Sequence, residues 1–297
     1  MNQKDISEKI IEYYNDVFAD IVNVLLFDGE RLVRPDKLED GTARSAYKAD
    51  GKLREIERDV LKRWTKGDFR LAYVGIENQT SSDPDMSLRV IAYDGAQYRA
   101  QLSRKGERYP VITLVLHFDY HKKWNQATSL FETLDIKKEL KPFVNDYKIN
   151  LFEVAFLPRK QVDLFQSDFW YVADYFAQMQ ESGNYVPTAK NVKHIQEVLS
   201  LLSIMTDDRR FEDAYESARS EGKEMGNMCE FLDKIENQGI AKGRIEGMIE
   251  GRMEGELQKS KDIAYNLHKN GVDDAVIALS IGISEEELHQ WYEAQAV

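Results

Sequence analysis

The sequence has little cysteine and no long hydrophobic run, and each shortage excludes a class of protein. Cys229 is the only cysteine among 297 residues, which excludes an internal disulfide framework and a cysteine-based metal cluster. With five histidines in the whole chain, a zinc site is not expected. No apolar run reaches the roughly 20 residues that cross a bilayer, and the N-terminal MNQKDISEKI lacks the apolar core of a signal peptide. We therefore expect a cytoplasmic protein with no membrane partner.

The remaining composition is that of an ordinary globular protein. Hydrophobic residues make up 42% and charged residues 31%, and a chain of this length can bury a sizeable core in one large domain or two smaller ones. The net charge of −12 argues against nonspecific coating of nucleic acid. Residues 44–123 nevertheless contain 16 Lys/Arg and 11 Asp/Glu, a net of +5 against −17 for the rest. This basic segment fits contact with a polyanion as well as it fits a solvated surface.

The order of the sequence patterns predicts an α/β or α+β core with a mixed sheet. Apolar residues at helical spacing predict a helix in EKIIEYYNDVFADIVNVLLF that stops at Asp28-Gly29. A polar, irregular stretch should follow, and then strands in EIERDVLKRW and RLAYVGIENQ joined by a turn at TKGDF. A helix over 86–103, strands in VITLVLHF and INLFEVAFL, and a mostly helical region over 160–220 complete the pattern.

The tail has a glycine at every fourth position from Gly239 to Gly255. Each glycine costs a helix roughly 1 kcal/mol relative to alanine, so the repeat needs a reason. On a helix the glycines form one ridge, beside an apolar stripe that consists of Ile245, Met248, Ile249 and Met253. This arrangement fits a homo-oligomer packed along the ridge as well as a low-complexity, partly frayed linker helix. The charged residues between the glycines exclude a membrane span.

Two short helical patterns, DDAVIALS and SEEELHQWYEA, end the chain. Ser284 and Glu287 form a capping box for the second pattern. The pair resembles a helix-turn-helix, but its second helix has four glutamates and no Lys or Arg, so a protein-packing pair is favoured over a DNA reader. We therefore expect a core domain at 1–206, a glycine-repeat helical linker at 207–260 and a small helical pair at 261–297.

Acidic residues fall at the matching ends of the two predicted neighbouring strands. Alternation of side chains places Glu77 and Gln79 on one face at the end of an apolar strand. If the strands pair as a hairpin, Asp59 comes within a few ångströms of Glu77. Two such carboxylates repel unless a cation lies between them, and Mg²⁺ prefers oxygen ligands. The spacing alone is a weak signal, because half-exposed strands often end in an acidic residue.

Several motifs in a fixed order add a family resemblance. They are FADIVNVLLFDGE, RDVLKRW, YVGIENQT, MSLRVIAYDGAQYRAQL, RYPVITLVLHF, DYKINLFEVAF and the glycine-rich EGxxEG tail. Together with Asp59 and Glu77-Asn78-Gln79, they resemble the Rpn group of recombination-promoting nucleases, often labelled putative transposases, within the PD-(D/E)XK superfamily. The resemblance covers most of the chain. It implies an α/β restriction-endonuclease-like core, with a mixed central sheet flanked by helices, and a helical C-terminal tail.

The resemblance also implies metal-dependent cleavage of DNA, with Mg²⁺ or Mn²⁺ as the cofactor. Asp59 and Glu77 take the places of the acidic metal ligands, and the backbone carbonyl of Asn78 would be a third ligand. Gln79 stands where the general pattern has lysine, and an amide can orient a water but cannot act as an ammonium does. Gln97 resembles a polar position that faces the active site, with a surface glutamine as the alternative.

Basic residues flank this core in the sequence and could hold phosphates on either side of the scissile bond. The DNA-binding candidates are Arg58, Lys62, Arg63, Arg99, Arg104 and Lys105. The alternative is that these cations balance nearby acids. Asp20 and Asn23, on the first helix, are further site candidates, although a buried Asn23 bonded to backbone is the favoured interpretation.

Two functional hypotheses remain open at this point. The first is a Mg²⁺-dependent DNA endonuclease that acts in recombination, mobile-element movement or defence. The second is a catalytically weak DNA-binding or assembly protein that retains the nuclease fold and works through oligomers of its tail. A tail that regulates a nuclease is a third, weaker hypothesis. Joint binding of a metal by Asp59 and Glu77 separates the first hypothesis from the second.

Overall fold

The chain divides into two units, Met1–Asp233 and Lys234–Val297. The structure is a computed structural model that describes residues 11–41, 44–49, 52–57, 59–66, 69–103, 106–222 and 226–295. The described strands are β1 (Leu38–Asp40), β2 (Arg44–Ala49), β3 (Lys52–Glu57), β4 (Val60–Lys66), β5 (Phe69–Gln79), β6 (Val111–His117) and β7 (Asn150–Glu153). The described α-helices are α1 (Asn15–Phe27), α2 (Met86–Leu102), α3 (Leu130–Thr133), α4 (Arg159–Val162), α5 (Phe169–Ser182), α6 (Ile195–Thr206), α7 (Arg210–Ser220), α8 (Met228–Lys269), α9 (Asp274–Ile281) and α10 (Glu285–Gln295).

A mixed sheet of five strands, in the order β1-β4-β5-β6-β7, lies in the first unit. β4 pairs antiparallel with both β1 and β5, whereas β5, β6 and β7 run parallel. The central strand β5 is buried continuously from Ala72 to Glu77, as expected for a strand that is covered on both faces. The structure therefore confirms the mixed α/β core and the hairpin between β4 and β5.

The prediction of a single strand over EIERDVLKRW is wrong, because this segment belongs to two separate strands, β3 and β4. β3 pairs antiparallel with β2 in a two-stranded sheet, and β4 begins at Val60. The stretch expected to be irregular contains β1 and β2. β1 lies at the edge of the large sheet, and β2 with β3 forms a sheet of its own. In these places a strand need not bury a whole face, so polar sequences can form it.

Helix α2 covers one face of the sheet. Met86 and Val90 of α2 pack in one cluster with Val115 of β6 and with Ile149. This confirms the helix predicted over 86–103. The strand predicted in VITLVLHF is also confirmed as β6, and its register with β5 places Val115 beside Glu77.

Helix α1 ends where the sequence predicts. Asp28 and Gly29 both have positive φ angles, 49° and 90°, and Gly29 suits this left-handed backbone because it has no Cβ. A short 3-10 turn, Ile11–Tyr13, precedes α1. The first residues of the predicted helix, up to residue 10, lie outside the described residues.

Helices α5, α6 and α7 complete the first unit and confirm the helical region predicted over 160–220. The rings of Phe118 and Phe176 lie 5.2 Å apart, and Phe211 of α7 packs 5.8 Å from Tyr175 of α5. Because α7 contributes to this packing, the first unit extends beyond residue 206, where the sequence suggested a boundary.

In the second unit, α8 runs through the whole glycine repeat without a break. A Cβ added at any of the five glycines from Gly239 to Gly255 would meet no atom within 4 Å. The apolar stripe beside them is exposed, with Met248 at 68% of its full accessibility. The glycine ridge of α8 is therefore open along its length.

The two C-terminal helices pack against the end of α8. Ala264, Ile277 and Leu288 are buried together in one cluster. Ser284 Oγ accepts a hydrogen bond from Glu287 N at 3.1 Å, which is half of the predicted capping box. The two helices therefore form a packed pair, and the preference for protein packing over DNA reading stays a prediction. Among the helices that the structure describes, none combines the length and the apolar character needed to span a bilayer.

Candidate functional site

The pairing of β4 with β5 brings Asp59 to the end of β5. Val60 lies opposite Ile76, so Asp59, one residue earlier, is adjacent to the segment Glu77-Asn78-Gln79. Asp59 Oδ2 accepts a hydrogen bond from Asn78 N at 2.7 Å. Asp59 is exposed, so a ligand can reach it from solvent.

Glu77 is buried on the face of β5 that α2 covers, with 3% of its surface exposed. Its Oε1 accepts hydrogen bonds from the Arg89 guanidinium, from Tyr93 Oη at 3.2 Å and from Gln79 Nε2 at 3.3 Å. Glu77 and Gln79 are therefore neighbours, as the alternation of side chains predicts. They also belong to a network of protein donors that the sequence did not predict.

Arg89 is the unpredicted member of this network. It also donates to Asp83 at 2.7 Å. Burial works to lower the pKa of Arg89, but its bonds to Asp83 and Tyr93 and the charge of Glu77 outweigh burial and raise that pKa. Arg89 is thus a permanent cation beside Glu77. The spacing of four between Arg89 and Tyr93 was the available signal, because it places both on one face of α2.

Glu12 is a second residue that the sequence did not predict. It lies in the turn Ile11–Tyr13, is 0% exposed, and neither of its carboxylate oxygens has a hydrogen-bond partner. Burial raises the pKa of Glu12 to about 8; its own backbone N–H opposes that rise and the negative charge of Asp59 adds to it. The helical pattern gave Glu12 no distinction, because it fell among the polar positions of an apparently ordinary helix.

The side chain of Asn78 faces the same side of the sheet as this turn. Alternation along β5 points Asn78 away from Glu77 and α2. The Asn78 amide lies near enough to Glu12 to lower its pKa slightly against the effect of burial. The contact is not a hydrogen bond of normal geometry, since the oxygen and the nitrogen of the amide are both buried without a partner. Glu12, Asp59 and Asn78 thus lie close together at the C-terminal end of β5.

The two other candidates on the first helix are structural. Asp20 accepts backbone hydrogen bonds from Gln166 at 2.8 Å and Ser167 at 2.7 Å. Asn23 donates to Val33 O and accepts from Val33 N, each at 2.8 Å. The favoured interpretation of Asn23 as a buried residue bonded to backbone is confirmed.

Lys62 is not placed to contact DNA, and that prediction needs correction. It is only 1% exposed, and its Nζ donates to the carbonyl of Tyr13 at 2.7 Å and to Asp40. Lys62 pairs with Val74 in the sheet, so its side chain points under the turn Ile11–Tyr13. Its ammonium ties that turn to β1 and β4, and we do not carry it forward as a phosphate ligand.

Of the five other basic candidates, two lie among the described residues. Arg63 is partly buried and lies 3.5 Å from Glu39, whereas Arg99 is exposed on α2. The remaining three, Arg58, Arg104 and Lys105, lie outside the described residues.

Gln97 is buried on the inner face of α2, one helical turn after Tyr93. The alternative of a surface glutamine is therefore excluded. Its role at the site stays a prediction.

The donor set at the edge of β5 suits a hard cation. Within the described residues, no group of three or more His, Cys, Asp or Glu side chains is arranged to hold a metal ion. Glu12, however, buries two carboxylate oxygens without a donor, beside the carboxylate of Asp59 and the amide of Asn78. Carboxylate and amide oxygens are the ligands that Mg²⁺ and Mn²⁺ take in proteins.

Comparison with known proteins gave one finding. The profile of a family described as "Putative transposase, YhgA-like" matches residues 42–200, more than half of the chain. This confirms the resemblance to the putative-transposase group. Comparison with curated proteins and with solved structures gave no match. The matched range includes Asp59, Glu77 and the whole of α2, whereas Glu12 lies before it.

Proposed function

We propose, because the chain belongs to the YhgA-like family of putative transposases, that it is a metal-dependent DNA endonuclease with a PD-(D/E)XK-type core. The observation that supports this most is the register of β4 with β5, which sets Asp59 beside Glu77-Asn78-Gln79. A carboxylate, a second carboxylate and an amide then follow one another at the end of a central strand, open to solvent at Asp59.

Each residue at this strand end would have its own role in phosphodiester hydrolysis. Asp59, Glu77 and the carbonyl of Asn78 would hold Mg²⁺ or Mn²⁺. The bound ion would polarise the scissile phosphate and favour ionisation of a water. Gln79 would orient that water through its amide, within reach of Glu77 Oε1, with which it already shares a hydrogen bond.

Arg89 supplies a positive charge that the missing lysine would otherwise bring. A lysine at position 79 would place an ammonium next to Glu77, whereas Gln79 is neutral. The guanidinium of Arg89 bonds Oε1 of Glu77 from the opposite side, on α2. It fixes the rotamer of Glu77 and offsets the cost of burying its charge.

DNA would approach along the basic part of the chain. Residues 44–123 carry a net charge of +5, and Arg99 is exposed on α2 within that segment. Such cations hold phosphates and position the duplex without reading its sequence. The segment fits general recognition of a DNA backbone.

Plasmid cleavage tests this function. Supercoiled plasmid is incubated with the full chain and Mg²⁺ or Mn²⁺, beside Asp59→Ala, Glu77→Ala and a chelator. We expect metal-dependent nicking that falls at least about 100-fold in both variants, which is the usual scale for loss of a metal or transition-state contact. Asp85→Asn, an exposed carboxylate at the start of α2, is the matched control and should cleave like the wild type. Equal inertness of all proteins on several forms of DNA would rule the function out.

The open glycine ridge of α8 favours a second candidate function, assembly of copies of this chain. The ridge has no covering side chain, and the apolar stripe beside it is exposed. A second α8 could approach closely along such a ridge and bury the stripe. Light scattering should then give the mass of a dimer or larger species, and Gly247→Leu should reduce that mass. Gly95→Leu, at an equally open helical glycine in α2, is the control. A monomeric wild type would exclude assembly.

A further inference from the structure

The segment 137–143, KKELKPF, presents positive charge and an aromatic ring to solvent together. It lies in the connection between α3 and β7, and we call it the basic turn. It contains three lysines and one acid, in a chain whose net charge is −12. Lys137, Lys138 and Lys141 are exposed, and among the described residues none of them forms an ion pair. The three positive charges are therefore available to an anionic partner.

Phe143 ends the basic turn and is the most exposed large hydrophobic side chain among the described residues, at 85% of its full accessibility. Leu140 is 53% exposed. The backbone orders both positions, because Phe143 N donates to Leu140 O at 3.0 Å and Leu140 N donates to Lys137 O at 2.8 Å. Pro142 restricts φ within the 3-10 turn Lys141–Phe143. The phenyl ring is thus presented to solvent by a hydrogen-bonded turn.

Both arms of the basic turn are fixed to α2. Before the turn, Thr133 Oγ1 forms a hydrogen bond of 2.7 Å with Ser87 Oγ in the first turn of α2. After the turn, the hydroxyl of Tyr147 donates to Asp94, in the middle of α2. Since α2 is also the helix that covers Glu77, the basic turn and the candidate site are supported by the same helix.

The composition of the basic turn fits DNA better than a protein or a membrane. Lysine is depleted in the cores of protein interfaces, and two exposed apolar side chains are a small patch for a protein partner. A membrane-bound helix needs a long apolar face, which this turn does not have. Interfaces with DNA are rich in positive charge. Phenylalanine, leucine and proline are among the side chains that DNA-bending proteins insert between base steps.

We propose that the basic turn is a second contact with duplex DNA, in which its lysines bind backbone phosphates and Phe143 inserts between base pairs and bends the duplex. The proposal rests on the proposed function, because it takes DNA as the substrate, and adds a contact away from the reacting bond. A bent duplex brings more of its phosphates within reach of the protein. Neither the lysines nor the wedge reads the edges of bases, so this contact positions DNA without specifying a sequence.

Energy transfer between dyes on the two ends of a duplex of about 25 base pairs measures the bend. The full chain is added in chelator, so that metal-dependent cleavage does not interfere. We expect the wild type to shorten the distance between the dyes, and Phe143→Ala to lose the bend and about tenfold in affinity. Phe143→Trp, which keeps an aromatic wedge, should still bend the duplex. Leu279→Ala is the matched control, because Leu279 is 84% exposed in the second unit, and it should behave like the wild type.

The salt dependence of binding, measured by fluorescence anisotropy, tests the lysines. Each phosphate contact contributes about 0.9 to the slope of log affinity against log salt concentration, so Lys137→Ala with Lys138→Ala should lower the slope by roughly 2. Lys259→Ala with Lys269→Ala removes the same charge from exposed positions on α8 and should leave the slope unchanged. Urea unfolding should give the same stability for every variant, because all the replaced side chains are exposed.

A wild type that does not bend the duplex, or a Phe143→Ala variant that bends it equally, would overturn the proposal. Binding to vesicles of phosphatidylcholine and phosphatidylserine that Phe143→Ala loses, with DNA binding unchanged, would assign the turn to a membrane instead. The two proposals fail in different ways. A duplex that is bent through Phe143 but never cleaved would keep the basic turn and remove the nuclease function. Plasmid cleavage with unchanged binding and bending in Phe143→Ala would keep the function and remove the turn.

Discussion

Two buried glutamates lie near the end of β5 on opposite faces of the sheet, and their hydrogen-bond partners differ. Glu77, under α2, has hydrogen bonds from Arg89, Tyr93 and Gln79. Glu12, in the turn Ile11–Tyr13, has no hydrogen-bond partner for either oxygen. Both are almost inaccessible to solvent. Among the described residues, the fold therefore gives one charge a cationic partner, Arg89, and gives the other none.

The difference indicates what each face contributes to the site. The face under α2 is preorganised, because a fixed guanidinium holds Glu77 in place before any ligand arrives. The face under the turn presents the two oxygens of Glu12, which have no hydrogen-bond partner among the described residues. Removing a donor from Glu77 should therefore make it behave like Glu12, and removing the charge of Glu12 should abolish its contribution to the pH dependence of stability.

The largest expected effect comes from Arg89→Met. It leaves Glu77 buried beside Tyr93 and Gln79 without a cation, and because Arg89 itself is 39% exposed, the cost should be about 2 to 3 kcal/mol. Urea unfolding should show this loss of stability. In the double variant Glu77→Gln with Arg89→Met the loss should be clearly smaller, since no charge is then left unpaired. Equal losses in the single and double variants would show that the ion pair does not stabilise the fold.

Glu12→Gln should change the response of stability to pH. The pKa of Glu12 is raised from 4.5 to about 8, so between these values the folded chain holds a proton that the unfolded chain has released. Stability from this group is full below about pH 4.5 and is lost as the pH rises through about 8. In chelator, the unfolding free energy of the variant relative to wild type should rise with pH, by at most about 1.4 kcal/mol per unit. A constant difference from pH 5 to 9 would contradict the raised pKa.

Lys62→Met separates a structural cation from a DNA contact. The variant loses hydrogen bonds from an ammonium to Tyr13 and Asp40, worth about 2 kcal/mol in stability. Affinity for DNA should not change, because Lys62 is buried. Arg99→Ala, at an exposed position on α2, should weaken DNA binding and leave stability unchanged. Binding of a labelled duplex by fluorescence anisotropy, beside urea unfolding, measures both effects, and weaker DNA binding by Lys62→Met would restore it as a phosphate ligand.

The smallest expected effect concerns His117, which lies beside Gln79 in the register of β6 with β5. Burial lowers the pKa of His117, so folding is favoured with a neutral ring. This stability is present above pH 6.5 and is lost as the pH falls below it. His117→Phe, which keeps a ring against Trp124, should gain stability relative to wild type as the pH falls from 7 to 5.5, measured by urea unfolding. The absence of any such gain would show that the ring protonates freely.

The sequence was sufficient for the centre of the sheet and for part of the site. β5 and β6 are continuous apolar runs, and α2 has a clear helical spacing, so local patterns predicted all three. The meeting of Asp59 with the end of β5 followed from alternation and one hairpin. The prediction for Lys62 was wrong because it considered only the charge of the residue. Side-chain alternation along β4 already placed Lys62 and Arg63 on opposite faces of the sheet.

Glu12 and the hairpin of β2 with β3 were beyond local reasoning. Glu12 is important only because a turn distant in sequence folds over β4 and β5, and no spacing within the first helix reveals that contact. β2 and β3 form a small sheet of their own and carry no apolar alternation to mark them. The surroundings of a buried charge are therefore the part of this site that could be recognised only from the folded structure.

A crystal grown or soaked with MnCl₂ and measured at the manganese absorption edge tests the central claim most directly. The account predicts one anomalous peak within bonding distance of Asp59, Glu77 and the Asn78 carbonyl, and its disappearance in Asp59→Asn. The absence of a peak at the end of β5 would contradict it.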